Sequence, residues 1–427
     1  MKHSRQCNVA DDLLWYAHNF DPKLDNHMTP QCTRSRRSIL RIPWQALAVS
    51  ALTSTGAQNL IGAKGEFVRA LVGIYLFGGN DSNGLLVPLS QYDSYAAARG
   101  PLALPRNSLL PATSLTDQGE YGFHPALAEI HSLFLARAAA VVSGVGHLRA
   151  PISRGMGLRV PVPQVLSRHL DPDLDYLQPG YAVPSWAANL AGLGAQSSKG
   201  LIADFPSLTS QDSRGSALAV LTPGNSNPDG LRAPLIAIAK QPSGFDTVFP
   251  SSGIGQQLRQ VAALIKHGPA AGLTHPIFVC GMSGFSTRTR QMERQTALFA
   301  ELSAAMAAFY NATVEMGIAR NVTAYTDTEY NRTLLPNKML GTDPAWAGHH
   351  LVVGGSVLGG QVHGQFPQLS LGGPDDASGA GSWMPTVSKH QFAATLAAWY
   401  GVNYGNLRTH LPEIANFAQP TLDFLGG

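Results

Sequence analysis

The residues best suited to chemistry gather in "GTDPAWAGHHLVVGG", Gly341 to Gly355, where Asp343 precedes the adjacent pair His349 and His350 in glycine-rich chain. Carboxylate and imidazole together form a donor set that zinc and harder divalent cations accept. Pro344, which cannot ligate, interrupts the run directly after the acid. A second acid, Asp81, closes the apolar run "FVRALVGIYLFGGND". Apolarity without alternation fits a central strand covered on both faces, and open α/β sheets carry their ligand groups just beyond such strand ends. Neighbouring residues of a strand point to opposite faces, so at most one of His349 and His350 can face a pocket. The alternative has one imidazole packed and the other solvated.

Other chemistries lack their motifs. The chain has no G-x-S-x-G nucleophile elbow, no P-loop and no complete G-x-G-x-x-G after a strand. Of its three cysteines, Cys7 and Cys32 lie in the N-terminal region and Cys280 sits in the apolar run "HPIFVCGM". A buried strand thiol is expected at Cys280, since apolar surroundings raise its pKa and silence it as a nucleophile. Residues 1–41 hold seven basic and four acidic side chains, which leaves the remainder balanced at 23 of each sign. Without a basic stripe, nucleic acid is excluded as a partner.

The elements that must position these residues alternate in type. Strands are expected in residues 67–81, at "AAVVSGVG", "HPIFVCGM", "RNVTAYTDTEYNR" and "HHLVVGG". Helices are expected at "HPALAEIHSLFLARA" with Pro125 in its first turn, at "GIGQQLRQVAALIKHG", from Thr289 to about Met316, and at "HQFAATLAAWYG". Residues 150–200 are proline-rich and weakly periodic, and loops and short helices are expected there. The pattern predicts an α/β fold with a mostly parallel central sheet between helical layers. With 44% hydrophobic and 13% charged residues, the chain has ample material for its core.

The N-terminal segment carries an address. "SRRSILRIPWQALAVSALTSTGAQNLIGA" pairs Arg36 and Arg37 with a modestly apolar stretch ending in small residues. It reads as a twin-arginine export signal cleaved near Ala57 or Ala63, with Met28 the more ordinary start. The stretch is too short and too polar to remain as a transmembrane anchor. A signal over residues 1–63, a single domain over 64–427 and a periplasmic or cell-envelope location are therefore expected, with a protein partner in the envelope. The N-x-T triplets at Asn311, Asn321 and Asn331 are uninformative in a chain exported by a bacterial route.

Five loops follow the expected strands: "GGNDSNG", "VGHLRAPISRG", "GMSGFSTRTRQ", "TDTEYNRT" and "GTDPAWAGHHLVVGGSVLGGQVHGQFP". With "YGFHPAL" and the tail "PTVSKHQFAATLAAWYGV", their order over about residues 66–425 resembles the DUF1501 family, exported proteins of the alkaline phosphatase-like (sulfatase-like) superfamily. The resemblance implies a three-layer sandwich. It also implies two divalent metals, held by Asp and His at strand ends, that activate a Ser or Thr nucleophile and neutralise a phosphate or sulfate ester.

Departures from the family pattern fall on the ligands. Where the family carries Gly-Phe-Asp-Thr-His or Gly-Trp-Asp-Thr-His, this chain reads "GFSTR", with Ser286 for the carboxylate and Arg288 for the imidazole. Pro344 replaces another histidine, and Arg154 stands for the histidine after Ser153. "EYNRT" keeps Arg332 and Thr333 of a Phe-Gly-Arg-Thr pattern. Asp81, Ser153, Asp343 and the Arg332–Thr333 pair survive, while three histidines and one aspartate do not. A degenerate metal centre and a non-catalytic binding role, with no cofactor, are the expectation. Arg154 and Arg288 would then either hold an anion or pair with Asp81 or Asp343. The alternative is a zinc- or manganese-dependent phosphate or sulfate ester hydrolase, with Ser153 as nucleophile, Arg332 and Thr333 in the catalytic site, and Asp81, Asp343, His349 and His350 as ligands.

Overall fold

Continuous apolar runs set the centre of the molecule. The computed structural model describes residues 67–152, 174–178, 181–184, 187, 201–202, 218–223, 228–241 and 244–426, all within one compact unit, Ser54–Gly427. The main sheet contains β1 (Ala70–Leu76), β2 (Ala139–Gly146), β3 (Leu201–Ile202), β4 (Ala219–Leu221), β5 (Ile277–Met282), β6 (Val322–Asp327), β7 (Gly348–Gly354), β8 (Val362–His363) and β9 (Val387–Ser388). Every residue of β1, β2, β5 and β7 is buried, as strands covered on both faces require.

The helices pack on both faces of this sheet. Among the described residues they are α1 (Tyr92–Arg99), α2 (Ala128–Leu135), α3 (Pro228–Lys240), α4 (Gly253–His267), α5 (Gln291–Glu315), α6 (Lys389–Tyr400) and α7 (Tyr404–His410). Val72, Ile74 and Leu76 of β1 join Ile130 of α2, Val261 of α4 and Phe299 and Met306 of α5 in one core cluster. Leu71, on the other face, joins Phe392, Leu396 and Trp399 of α6 and Leu407 of α7 in a second. Each such fully buried aliphatic or aromatic side chain contributes about 1.5–3 kcal/mol. α5 is long and apolar enough to cross a membrane, but Phe299, Leu302, Met306 and Phe309 bury it in the first core.

The sheet is mixed, which corrects the expectation of a mostly parallel one. Its order is β8-β2-β7-β6-β1-β5-β4-β3, with β9 also pairing beside β2. β1 pairs in parallel with β5 and β6, but β7 runs antiparallel to both β6 and β2, and β4 runs antiparallel to β5 and β3. The reason lies in the connection. A parallel return needs a crossover of a dozen or more residues, usually a helix, that carries the chain back across the sheet. The chain between Asp327 and Gly348 contains no helix, so it stays at the rim where β6 ends and β7 starts from that rim. Asp81, Arg288, Glu329, Arg332, Asp343 and the two histidines are thereby gathered along one edge.

A smaller three-stranded sheet, Leu86–Pro88, Glu120–Phe123 and Leu110–Thr113, covers the chain that follows β1. Together with α1 it forms a satellite cluster of Val87, Tyr95, Leu104, Leu109, Leu334 and Trp383. This cluster carries Arg99 inward.

Candidate functional site

Asp81 follows β1 by a turn that only glycine can make. Gly78 and Gly79 have φ of +108° and +84°, and a Cβ on them would stand 2.4 Å from the Ser286 nitrogen and 2.2 Å from the Tyr330 ring. Two side chains of the loop after β6 clamp this turn from its two polar sides. The Glu329 carboxylate accepts from the Gly78 N–H at 3.0 and 3.1 Å and from the Gly79 N–H at 3.1 Å. Arg332, with no exposed surface, donates from Nε to the Gly79 carbonyl at 2.8 Å and the Phe285 carbonyl at 3.1 Å. Its Nη1 reaches the Thr342 carbonyl at 2.6 Å and its Nη2 the Gly78 carbonyl at 2.5 Å. Burial lowers the guanidinium's pKa from its ordinary value, and the carbonyl oxygens compensate the lost hydration.

Past that turn, Asp81 is fully buried and already engaged. Its Oδ2 accepts from Arg99 Nη2 and Gln291 Nε2, and its Oδ1 from the Asn83 backbone N–H at 3.1 Å and Asn83 Nδ2 at 3.2 Å. Side-chain exposure in the Arg99–Asp81 pair is 1% and 0%, so water competes for neither charge. Arg99 also donates to the carbonyls of Thr333 at 3.0 Å and Leu334 at 3.1 Å. Gln291 is held in turn by the hydroxyls of Thr342 at 2.5 Å and Thr287 at 3.2 Å, and Asn83 Oδ1 accepts from Trp383 Nε1 at 2.7 Å. His124 lies within electrostatic reach of Asp81, and burial nonetheless drives its imidazole down to about 4.

The remaining candidates do not converge on Asp81. Asp343 is exposed, and its Oδ1 accepts from Asn337 Nδ2 at 3.4 Å. Thr333 Oγ1 donates to the Leu335 carbonyl at 2.9 Å and accepts from the Asp343 N–H at 3.2 Å, locking the β-bridge between residues 331–332 and 344–345. Ser286 and Arg288 are both exposed. His349 and His350 are each 3% exposed and point to opposite faces of β7, as the pleat requires. The His349 ring stacks on Phe366 at 4.4 Å, and the His350 ring packs near Phe392 of α6 at 5.4 Å. Neither imidazole is solvated. Burial pushes His349 down to about 3, so it is neutral. Ser153 and Arg154, like the Arg36–Arg37 pair expected to form an export signal, lie outside the described residues.

Among the described residues, the surroundings of Asp81 therefore do not suit a divalent metal. No group of three or more His, Cys, Asp or Glu side chains among the described residues is placed to share one ion. The carboxylate that would bind it already accepts from a guanidinium and three amide N–H donors. Pairing of Arg154 or Arg288 with Asp81 or Asp343 was one of the two expectations, and the arginine found on Asp81 is Arg99. Nothing in its surroundings singles out Arg99 in the sequence: it ends a short helix in "YDSYAAARG" and reads as a solvated charge. Glu329 was missed for a similar reason, since a lone acid carries no sign that glycine N–H groups await it.

Beside the rim, Lys389 at the start of α6 donates to the Thr328 carbonyl at 2.6 Å and pairs with Asp327 at 3.2 Å. A groove of about 420 Å³ opens nearby, with Leu148, Ile152, Met384 and Phe417 on its walls beside Asp375 and Gln391.

Residues 275–411 match DUF1501. The family's description is a protein of unknown function. The DUF1501 domain takes in Arg288, Arg332, Thr333, Asp343 and both rim histidines, whereas Asp81 and Arg99 precede it. No curated protein matches the chain.

Proposed function

We propose that this chain is a non-catalytic, exported binding protein, built on an alkaline phosphatase-like scaffold whose metal centre has degenerated. One observation carries the reading: the Asp81 carboxylate is closed off by Arg99, Gln291 and Asn83. A guanidinium fixed there supplies the positive charge that a buried carboxylate demands, and leaves no lone pair facing an open coordination site. The replacements at Ser286, Arg288 and Pro344 support the same reading, because none can ligate as the expected carboxylate and imidazoles would. Ligand binding is supported by the groove along Leu148, Ile152, Met384 and Phe417, where apolar side chains alternate with the polar Gln365, Asp375, Gln391 and Gln419, a mixed lining that suits a small amphipathic molecule. Export through the twin-arginine signal at Arg36 and Arg37 would place this binding in the periplasm or cell envelope.

Elemental analysis tests the proposal. The purified mature protein is incubated with zinc or manganese, passed through a desalting column and measured for metal, in parallel with hydrolysis of p-nitrophenyl phosphate and p-nitrophenyl sulfate. Neither stoichiometric metal nor turnover is expected. One equivalent of tightly held metal, or metal-dependent hydrolysis, would restore the hydrolase reading with Ser153 as nucleophile.

A further inference from the structure

The turn between Leu335 and Gly341 exposes large apolar side chains on a backbone held by hydrogen bonds. Leu335 is 41% exposed, Met339 66% and Leu340 54%. Asn337 organises the turn from within: its Oδ1 accepts from the N–H groups of Met339 at 2.9 Å and Gly341 at 3.1 Å, and its N–H donates to the Gly341 carbonyl at 2.8 Å. Asn337 Nδ2 reaches across to the Arg288 carbonyl at 3.1 Å, and the Leu340 carbonyl accepts from the Gln291 N–H at 3.1 Å. Gly341 packs so closely that a Cβ would stand 2.0 Å from the Arg288 carbonyl carbon. Leu340 itself is held at φ +53°, a conformation that branched apolar side chains disfavour. The turn is over-determined, and what it presents to solvent is leucine and methionine.

The turn and the chain braced against it are basic. Arg288, Arg290 and Lys338 are exposed and Arg294 is half-buried on the first turn of α5, against the acids Glu293 and Asp343. We infer that this rim, with Leu335, Met339 and Leu340 at its tip and Arg288, Arg290 and Lys338 around it, docks the protein on an anionic lipid surface. Exposed apolar side chains flanked by cations suit an interface in which the former enter the acyl boundary and the latter meet the headgroups. A fluid bilayer accepts a protruding turn without a shaped pocket, and the excess of positive charge selects anionic lipid. Thr342, which follows the turn, bonds to Gln291 at 2.5 Å, so the docked face is also the roof of the Asp81 network. The inference rests on this surface alone and is independent of whether the site below holds a metal.

Flotation of the mature protein with vesicles of phosphatidylglycerol and phosphatidylcholine in equal parts tests it, with pure phosphatidylcholine as comparison. The protein is expected to float with the anionic vesicles and to be released by high salt. Lys338→Ala lowers the partition coefficient about five-fold, the equivalent of ~1 kcal/mol per surface cation. The double variant Met339→Asp/Leu340→Asp abolishes flotation. Asp tolerates the left-handed backbone better than Leu, so an unchanged melting temperature shows that the fold survives. Absence of flotation, equal binding to pure phosphatidylcholine, or undiminished binding of the double variant overturns the inference. Self-association that the double variant abolishes, without flotation, likewise overturns it and assigns the patch to a second copy of the chain.

Discussion

Replacing Arg99 by methionine removes the cation facing Asp81 while keeping most of the side chain's length. Asp81 then retains Asn83 and Gln291 as donors but no opposing charge, in a place where neither partner's side chain is more than 1% exposed. Removing one member of a buried pair costs about 3–5 kcal/mol, because the remaining ion stays desolvated. With an unfolding entropy of about 2.1 cal/mol/K per residue over the roughly 370 residues of the unit Ser54–Gly427, that corresponds to a fall in Tm of about 4–6 °C. Calorimetry and urea denaturation measure the loss. Asp81→Asn/Arg99→Met removes both charges and is expected to recover more than half of it, since the uncompensated carboxylate is what destabilises the single variant. A loss below about 1 kcal/mol in Arg99→Met, or strict additivity of the two single substitutions, would refute the assignment of Arg99 as the counter-charge.

Two further outcomes follow from the buried groups. Burial holds His124 and His275 at about 4 and His349 at about 3, all below the ordinary histidine value of 6.5. As pH falls through 6.5 the unfolded chain takes up protons that the folded chain refuses, so stability is full above that pH and declines down to about pH 4 for His124 and His275 and about pH 3 for His349. The decline reaches on the order of 2 kcal/mol per histidine by pH 5, and His349→Gln should shallow it in a pH series of urea midpoints; an unchanged slope would contradict a buried neutral imidazole. Glu329→Gln exchanges a charged acceptor of the Gly78 and Gly79 N–H groups for a neutral amide, and should cost about 1–3 kcal/mol and speed amide exchange at those two glycines. Exchange confined to other segments would show that the carboxylate does not hold the turn.

Much of the scaffold was legible in order along the chain. The apolar runs at 70–76, 139–146 and 277–282 have too few polar residues to face water on either side, and each became a buried strand. The helical spacing of "HQFAATLAAWYG" likewise became α6, closed by a capping box at Ser388 and Gln391 and by Gly401 in the left-handed region. Cys280 is buried, and burial raises its thiol well above the ordinary value. Even the parting of His349 from His350 follows from local geometry, because a strand has a period of two.

The pairing of charges was a tertiary matter. Arg99 and Asp81 are 18 positions apart, and Glu329 and Gly78 are 251 apart. Nothing in periodicity or composition states which arginine will neutralise which acid, since exposed and buried arginines look alike in a sequence. The direction of β7 was likewise decided when the loop after β6 remained at the rim. Local sequence determined which segments would be buried, because burial depends on each segment's own apolar content. The folded chain determined which polar groups meet within that burial, because an ion pair forms only where long-range packing has already excluded water.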